Sequence, residues 1–324
     1  MKALVFESPG KPVVKEVPIP SIKDSEVLIR TRAVGICHSD YELLGGRYII
    51  PISYPVVPGH EWCGEVMAIG SLVSGLQVGD RVVGECVVET PERLNHFGFS
   101  MDGADREYFA VQPEWLHKLP ANLDDTTGSL IEPFTCGYYA VMRSGGTNAS
   151  ETVVVSGGGT IGLCSAAAAV GMGARVIVID PLERRRAAAI ALGAAYALEP
   201  TDKVIEQVMA LTGGKGAELV IEASGHDSSL EKVFDFAAEE GRVSMVGISL
   251  DRKVALNLGK IQMRNLTVRG CIGSPGVWPA AIRFLEKTGI DLSPIQTHRF
   301  DLKDAIEALN VPPSECIKVT LTND

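Results

Sequence analysis

The sequence predicts an α/β protein of two domains, with a doubly wound parallel sheet carried on a segment that interrupts a mostly β domain. Three observations lead there. From Met1 to about Val111 the chain runs as short β-type stretches, Val27–Arg32, Trp62–Ile69, Arg81–Val88 and Tyr108–Val111, separated by turn residues such as Gly45-Gly46, Pro58-Gly59 and Gly79-Asp80. From about Glu132 strands alternate with helical patterns, which implies a parallel sheet covered by helices. After about Gly270 the pattern turns irregular again, with an amphipathic helix near Ala280–Lys287 and a last strand near Ile317–Leu321. The expected boundaries give residues 1–132 and 273–324 to the β-rich domain and 133–272 to the inserted one.

At 324 residues the chain can build a core in each of two domains, given about 100–200 residues per domain. Its 40 acidic residues outnumber 30 basic ones and no basic run occurs, which argues against nucleic acid and anionic membranes as partners. A hydrophobic share of 46% excludes a disordered chain. Seven scattered cysteines, odd in number and without a C-x-x-C pair, argue against a disulfide framework and fit a reducing cytoplasm. Met1–Phe6 reads as a strand rather than a signal peptide. The most apolar stretch, Ile161–Val170, falls short of the about 20 residues a membrane span needs.

The strand Thr152–Val155 runs into Ser156-Gly157-Gly158-Gly159-Thr160-Ile161-Gly162, placing Gly157, Gly159 and Gly162 at the three glycine positions of a G-x-G-x-x-G turn. The first glycine permits the tight turn, the second lets a pyrophosphate approach the backbone, and the third lets helix and strand pack closely. The helix behind them, starting at Thr160 and Ile161, presents free amides. The next strand, Arg175–Ile179, ends at Asp180, 23 residues after Gly157, where an acid can accept from the ribose hydroxyls of NAD and repel a 2′-phosphate. Strand, turn, helix, strand and acid in this order predict a Rossmann domain binding NAD. Val246, at the end of the strand-like Arg242–Gly247, is a further expected cofactor contact. Arg184, Arg185 and Arg186 follow Asp180; Arg185 is the one expected at the cofactor, and the trio could instead meet the phosphate of NADP or form a solvated helix turn.

Cys37-His38-Ser39-Asp40, His60-Glu61 and Glu132 offer thiolate, imidazole and carboxylate groups, all competent for zinc, and three protein ligands with one open position are the arrangement of a catalytic zinc. Taken singly, Cys37 reads as well as a small buried hydrophobe and His60 as a loop histidine. Spacing alone does not decide between them.

The residues carry a resemblance, however. Gly35-Ile36-Cys37-x-Ser39-Asp40, Gly59-His60-Glu61, Val78-Gly79-Asp80-Arg81-Val82, Asp102-Gly103 before Glu107-Tyr108, Ile131-Glu132-Pro133 and the glycine turn together resemble the zinc-dependent medium-chain dehydrogenase/reductases, the alcohol and polyol dehydrogenases, over essentially the whole chain. Ile131-Glu132-Pro133 is similar to the sorbitol, threonine and sugar-acid branch, where glutamate replaces a cysteine ligand, so Cys136 is not expected at the metal. The resemblance implies a GroES-like catalytic domain around the inserted Rossmann domain. It implies Cys37 and His60 as direct ligands, Glu61 and Glu132 as carboxylates on zinc or one water away, Asp40 orienting His60, and Ser39 accepting the proton of the substrate hydroxyl. The implied reaction passes a hydride between NAD and a secondary alcohol of a polyol, sugar acid or cyclitol, giving the ketone, with zinc as Lewis acid on the oxygen. A homodimer or homotetramer is implied as well.

Two departures stand out. Simple alcohol dehydrogenases relay the proton through a histidine five residues after the first cysteine ligand, where this chain has Glu42. Many relatives also carry a four-cysteine zinc lobe, where Gly84-Glu85-Cys86 here passes almost directly into Glu89–Phe99; one catalytic zinc and no structural zinc is the expectation. His96 falls in that shortened stretch, as a surface histidine or one bordering the substrate. Two other functions are compatible with the scaffold: a zinc-free enone or quinone reductase, and a non-catalytic nucleotide-binding protein.

Overall fold

The strand Val27–Ile36 organises the first unit of the fold. Its alternating pattern buries Val27, Ile29, Thr31 and Ala33 on one face, and its last residues are buried throughout. In the computed structural model, which describes residues 1–48, 50–89, 94–247 and 253–323, this strand pairs antiparallel with Glu61–Ile69 on one side. On the other side it pairs with Tyr108–Val111 near its start and Lys318–Thr322 near its end. Gln296–Asp301, Arg81–Gly84 and Leu116–Lys118 complete a seven-stranded sheet. Trp62, Phe97 and Phe109 pack inside with ring centroids 4.8–6.0 Å apart. The expected single strand Arg81–Val88 is two. The chain leaves the large sheet after Gly84, where a Cβ would strike the Trp62 ring, and Val87–Glu89 pairs with Leu94–His96 in a separate hairpin.

The second unit is a six-stranded, all-parallel sheet. Its order is Tyr196–Leu198, Arg175–Ile179, Thr152–Ser156, Ala217–Glu222, Ala237–Met245, Thr267–Gly270. Numbered within the unit this is 3-2-1-4-5-6, the doubly wound order, and the order reverses beside Thr152–Ser156, whose end carries the glycine turn. Val153, Val154, Val155, Val176, Ile177 and Val220 are fully buried, as a sheet covered on both faces requires.

The units are Met1–Glu132 with Gln296–Asp324, and Pro133–Ile295. The return expected at residue 273 therefore falls at Gln296. The helix Trp278–Thr288 belongs to the second unit because Phe284 packs on Phe134 and Tyr138 at 6.2 and 5.3 Å and, with Ile290, fills the space beside Gly171. Its amphipathic pattern shows a buried face but not which sheet it covers. All seven cysteines are free thiols, and no helix among the described residues is long and apolar enough to cross a membrane.

Candidate metal centre and cofactor turn

Cys37 follows the strand Val27–Ile36 directly, in extended conformation (φ −95°, ψ 158°), and caps the helix His38–Leu44. Asp40 stands at the third helical position and its Oδ2 accepts from the Cys37 amide at 2.8 Å, which fixes the thiol at the helix entrance. Just before the neighbouring strand Glu61–Ile69, Gly59 turns the chain at φ +92°, a conformation side chains disfavour. A Cβ there would also lie 2.5 Å from Asp105 Oδ1. His60 and Glu61 follow, and the register places Glu61 opposite Gly35, two residues before Cys37.

One ligand atom from each of Cys37, His60 and Glu61 lies within 4.8 Å of the other two. The ligands of a tetrahedral zinc stand about 3.5 Å apart, so modest side-chain adjustment would close the set. Asp40, His60 and Glu61 are at most 4% exposed. His60 Nδ1 faces Asp40 Oδ1 at 3.6 Å, and its Nε2 lies 3.4 Å from Ser39 Oγ. Glu61 Oε2 accepts from Lys318 Nζ at 2.5 Å, while Nζ also donates to the Ile36 carbonyl at 3.0 Å. Asp40 Oδ1, His60 Nδ1 and Glu61 Oε1 are buried without a hydrogen-bond partner. Such atoms are costly in a dry interior, and a sulfur, an imidazole and a carboxylate around one point are a donor set that fits zinc. Of the four expected ligands three converge; Glu132, at the start of the helix Ile131–Arg143, is outside the group.

The electrostatics favour positive charge at the centre. Burial works against a charged His60, yet the ring is held well above the ordinary histidine value by its neighbours. Of these, the Cys86 thiol is itself pushed up to about 12 by burial and is neutral near pH 7, so the charge responsible is that of Asp40. Burial likewise opposes a charged Lys318, and the Glu61 carboxylate more than reverses it. Asp105 is held well above the carboxylate range by burial and by the Asp40 and Glu61 charges.

The glycine turn of the second unit shows why each glycine is needed. Gly157 has φ +106° and a Cβ there would sit 2.7 Å from the Ser224 amide; at Gly162 it would collide with the Gly157 carbonyl. Gly159 faces open space at the N-terminus of the helix Thr160–Gly171, whose first turn holds Thr160 and Ile161; this is the cradle a pyrophosphate requires. Asp180, 3% exposed, accepts from the Gly158 amide at 2.7 Å and the Leu182 amide at 2.8 Å. Arg185 lies 3.6 Å from its carboxylate, and Arg186 donates to the Asp180 and Pro181 carbonyls, both at 2.8 Å. Val246 follows the strand Ala237–Met245 and its amide donates to the Glu222 carbonyl at 2.8 Å.

Sequence reasoning missed Lys318, Phe99 and Asp105, and Tyr48, whose ring stacks on Phe99 with centroids 5.3 Å apart. Lys318 begins an apolar strand and nothing in its neighbours marks it as buried. The shortened stretch does reach the centre, but through Phe99, whose ring lies 4.9 Å from that of His60. His96 instead sits in the hairpin strand Leu94–His96, where burial lowers its pKa.

Residues 23–121 match the family description "Alcohol dehydrogenase GroES-like domain", and residues 160–287 match "Zinc-binding dehydrogenase". A sorbitol dehydrogenase of Halalkalibacterium halodurans is 30% identical over 99% of both chains. Among solved structures, 2R,3R-butanediol dehydrogenase of Bacillus subtilis superposes with TM-score 0.91 at 27% identity, covering 100% of this chain and 99% of the other. A Sinorhizobium meliloti 1021 protein bound to NADP has TM-score 0.91 at 28% identity over 99% of both chains. The chain belongs to the zinc-type medium-chain alcohol and polyol dehydrogenase family.

Proposed function

We propose that the protein is a zinc-dependent dehydrogenase that moves a hydride between NAD and a secondary alcohol of a polyol, sugar acid or cyclitol, with the ketone as the oxidised product. The observation that carries this reading is the gathering of Cys37, His60 and Glu61 within 4.8 Å around buried, unpartnered donor atoms. A zinc ion held there would supply Lewis acidity toward the substrate oxygen. Asp40 orients His60, and Ser39 Oγ, beside His60, accepts the proton of the substrate hydroxyl. Burial of these groups keeps bulk water from the reacting oxygen and strengthens every charge interaction on it. One zinc per chain is proposed, at Cys37, His60 and Glu61, in keeping with the single cysteine, Cys86, in the shortened stretch. Glu132, outside that group, is proposed as a carboxylate one water away from the metal.

Asp180 supports NAD over NADP, because its buried carboxylate would face a 2′-phosphate; Arg185 beside it is the feature that favours NADP. Free cysteines suit a cytoplasmic setting. The edge strand Thr267–Gly270, exposed at every residue, suits pairing with a second copy in a homo-oligomer. The test of the reaction is a panel of polyols, sugar acids and cyclitols with NAD, read by absorbance of the reduced cofactor. Turnover on a vicinal secondary alcohol is expected; no turnover on any member by zinc-loaded protein would favour a nucleotide-binding role without chemistry.

A further inference from the structure

The order of the parallel sheet reverses between the strands Thr152–Ser156 and Ala217–Glu222, and the register sets their last residues, Ser156 and Glu222, side by side. Glu222 is fully buried, and the loop that follows folds back around its carboxylate. Oε1 accepts from the Ser224 amide at 3.0 Å, the Ser224 hydroxyl at 2.5 Å and the Ser229 hydroxyl at 2.9 Å, and the Gly225 amide lies 3.2 Å from both carboxylate oxygens. Ser229 gives its proton to Glu222, so the Ser156 hydroxyl, 2.7 Å away, donates to Ser229 and joins the strand that carries the glycine turn to the same network. The Glu222 carbonyl accepts from the Val246 and Gly247 amides at 2.8 and 2.9 Å. A buried carboxylate is costly unless its lone pairs are filled, so these donors hold residues 223–225 in one arrangement. That segment packs on the glycine turn: a Cβ at Gly157 would sit 2.7 Å from the Ser224 amide nitrogen, and one at Gly247 would strike the Gly225 amide. On the turn's other flank a Cβ at Gly158 would lie 3.1 Å from Asp180 Cβ. The turn thus stands between two buried carboxylates, Asp180 and Glu222.

Resting on the NAD reading, we propose that Glu222 is a positioning residue for the half of the dinucleotide beyond the pyrophosphate, fixing residues 223–225 as the wall of the crevice on that side. A dinucleotide lies across the crevice where the strand order reverses, one half over each set of strands. Asp180 ends the strand Arg175–Ile179 and serves the adenosine ribose, so the other half runs over the side that Glu222 organises. A loop already ordered in the free protein need not be ordered by the ligand, and the entropy saved appears as affinity. Glu222 acts in this way without touching the cofactor, through residues 223–225 and through the Val246 and Gly247 amides on its carbonyl.

The test measures NAD and AMP binding by calorimetry in the wild-type protein, Glu222→Gln, Ser229→Ala and Asp180→Ala. Glutamine keeps the size of the side chain but sets an amide N–H2 where one accepting oxygen stood, against the donors of the loop. NAD affinity of Glu222→Gln should fall about tenfold, the equivalent of about one hydrogen bond, while AMP affinity stays within about twofold of wild type. Ser229→Ala, which removes one donor and leaves the carboxylate, should show the same split at about threefold. Asp180→Ala should lose affinity for both ligands. A merely structural role for Glu222 would move AMP together with NAD, because a collapsed turn holds neither. Hydrogen exchange gives a readout without ligand: the amides of residues 224 and 225 should exchange faster in Glu222→Gln, with the helix Thr160–Gly171 unchanged. Equal losses of NAD and AMP, unchanged NAD affinity, or tighter NAD binding on removal of the charge would each overturn the proposal. Should Glu222→Gln not fold, Ser229→Ala decides by the same split. A wild-type protein that binds neither NAD nor AMP would overturn the NAD reading itself, and the role of Glu222 with it.

Discussion

Lys318 Nζ meets Glu61 Oε2 at 2.5 Å across Gly35, on the strand that runs between theirs. The register sets Gly35 opposite Glu61 on one side and Thr320 on the other, and a Cβ at Gly35 would press on the Glu61 side chain and lie 3.3 Å from Lys318 Cδ. An absent side chain thus allows a fully buried ion pair beside Cys37 and His60. The pair holds one oxygen of Glu61 and leaves Oε1 for the centre.

Removing one partner of such a pair strands the other. Lys318→Met should lower stability by about 3–5 kcal/mol in urea unfolding of metal-free protein, and Lys318→Met with Glu61→Gln should recover much of the loss. A single variant within about 1 kcal/mol of wild type would contradict a buried pair whose two members depend on each other.

Gly35→Ala should destabilise by about 1–3 kcal/mol through overpacking. Combined with Lys318→Met its effect should shrink, because both act on one contact. Strict additivity in the double-variant cycle would count against the steric role of Gly35.

The pair also fixes a pH dependence. The folded protein holds the Lys318 proton more tightly than the unfolded chain, so the stability it contributes is fully present below the usual lysine value near 10.4 and is lost as pH rises through the higher folded value. Wild type should therefore lose more stability than Lys318→Met as pH rises above about 10.4. Parallel decline of the two proteins would contradict the coupling.

Asp180 anchors the glycine turn, and the proposed NAD site sets the ribose against it. Asp180→Ala should weaken NAD binding about 10–100-fold by calorimetry, the loss of charge-assisted hydrogen bonds, and narrow the preference over NADP. An unchanged NAD-to-NADP ratio would remove Asp180 from the cofactor site.

The parallel sheet and its turn were readable because periodicity, glycines and a terminal acid are local signals. Cys37 and His60 were readable as a motif. The exchange of residues 273–295 between units was not, since the amphipathic face of Trp278–Thr288 does not state its partner. Nor was Lys318, whose partner lies 257 residues away and is brought close only by strand register. Tyr48 and Phe99 escaped for the same reason: ring stacking between distant loops leaves no spacing in the chain.

Cys37→Ser should abolish turnover and lower retained zinc while leaving NAD affinity nearly intact, because the glycine turn is built wholly within the second unit. Lost NAD binding in that variant would make the cysteine structural.

The central claim is that Cys37, His60 and Glu61 hold zinc. Metal analysis of carefully prepared protein tests it most directly: about one equivalent of zinc per chain, falling steeply in His60→Ala, is the expected result, and less than about half an equivalent in the wild-type protein would contradict it.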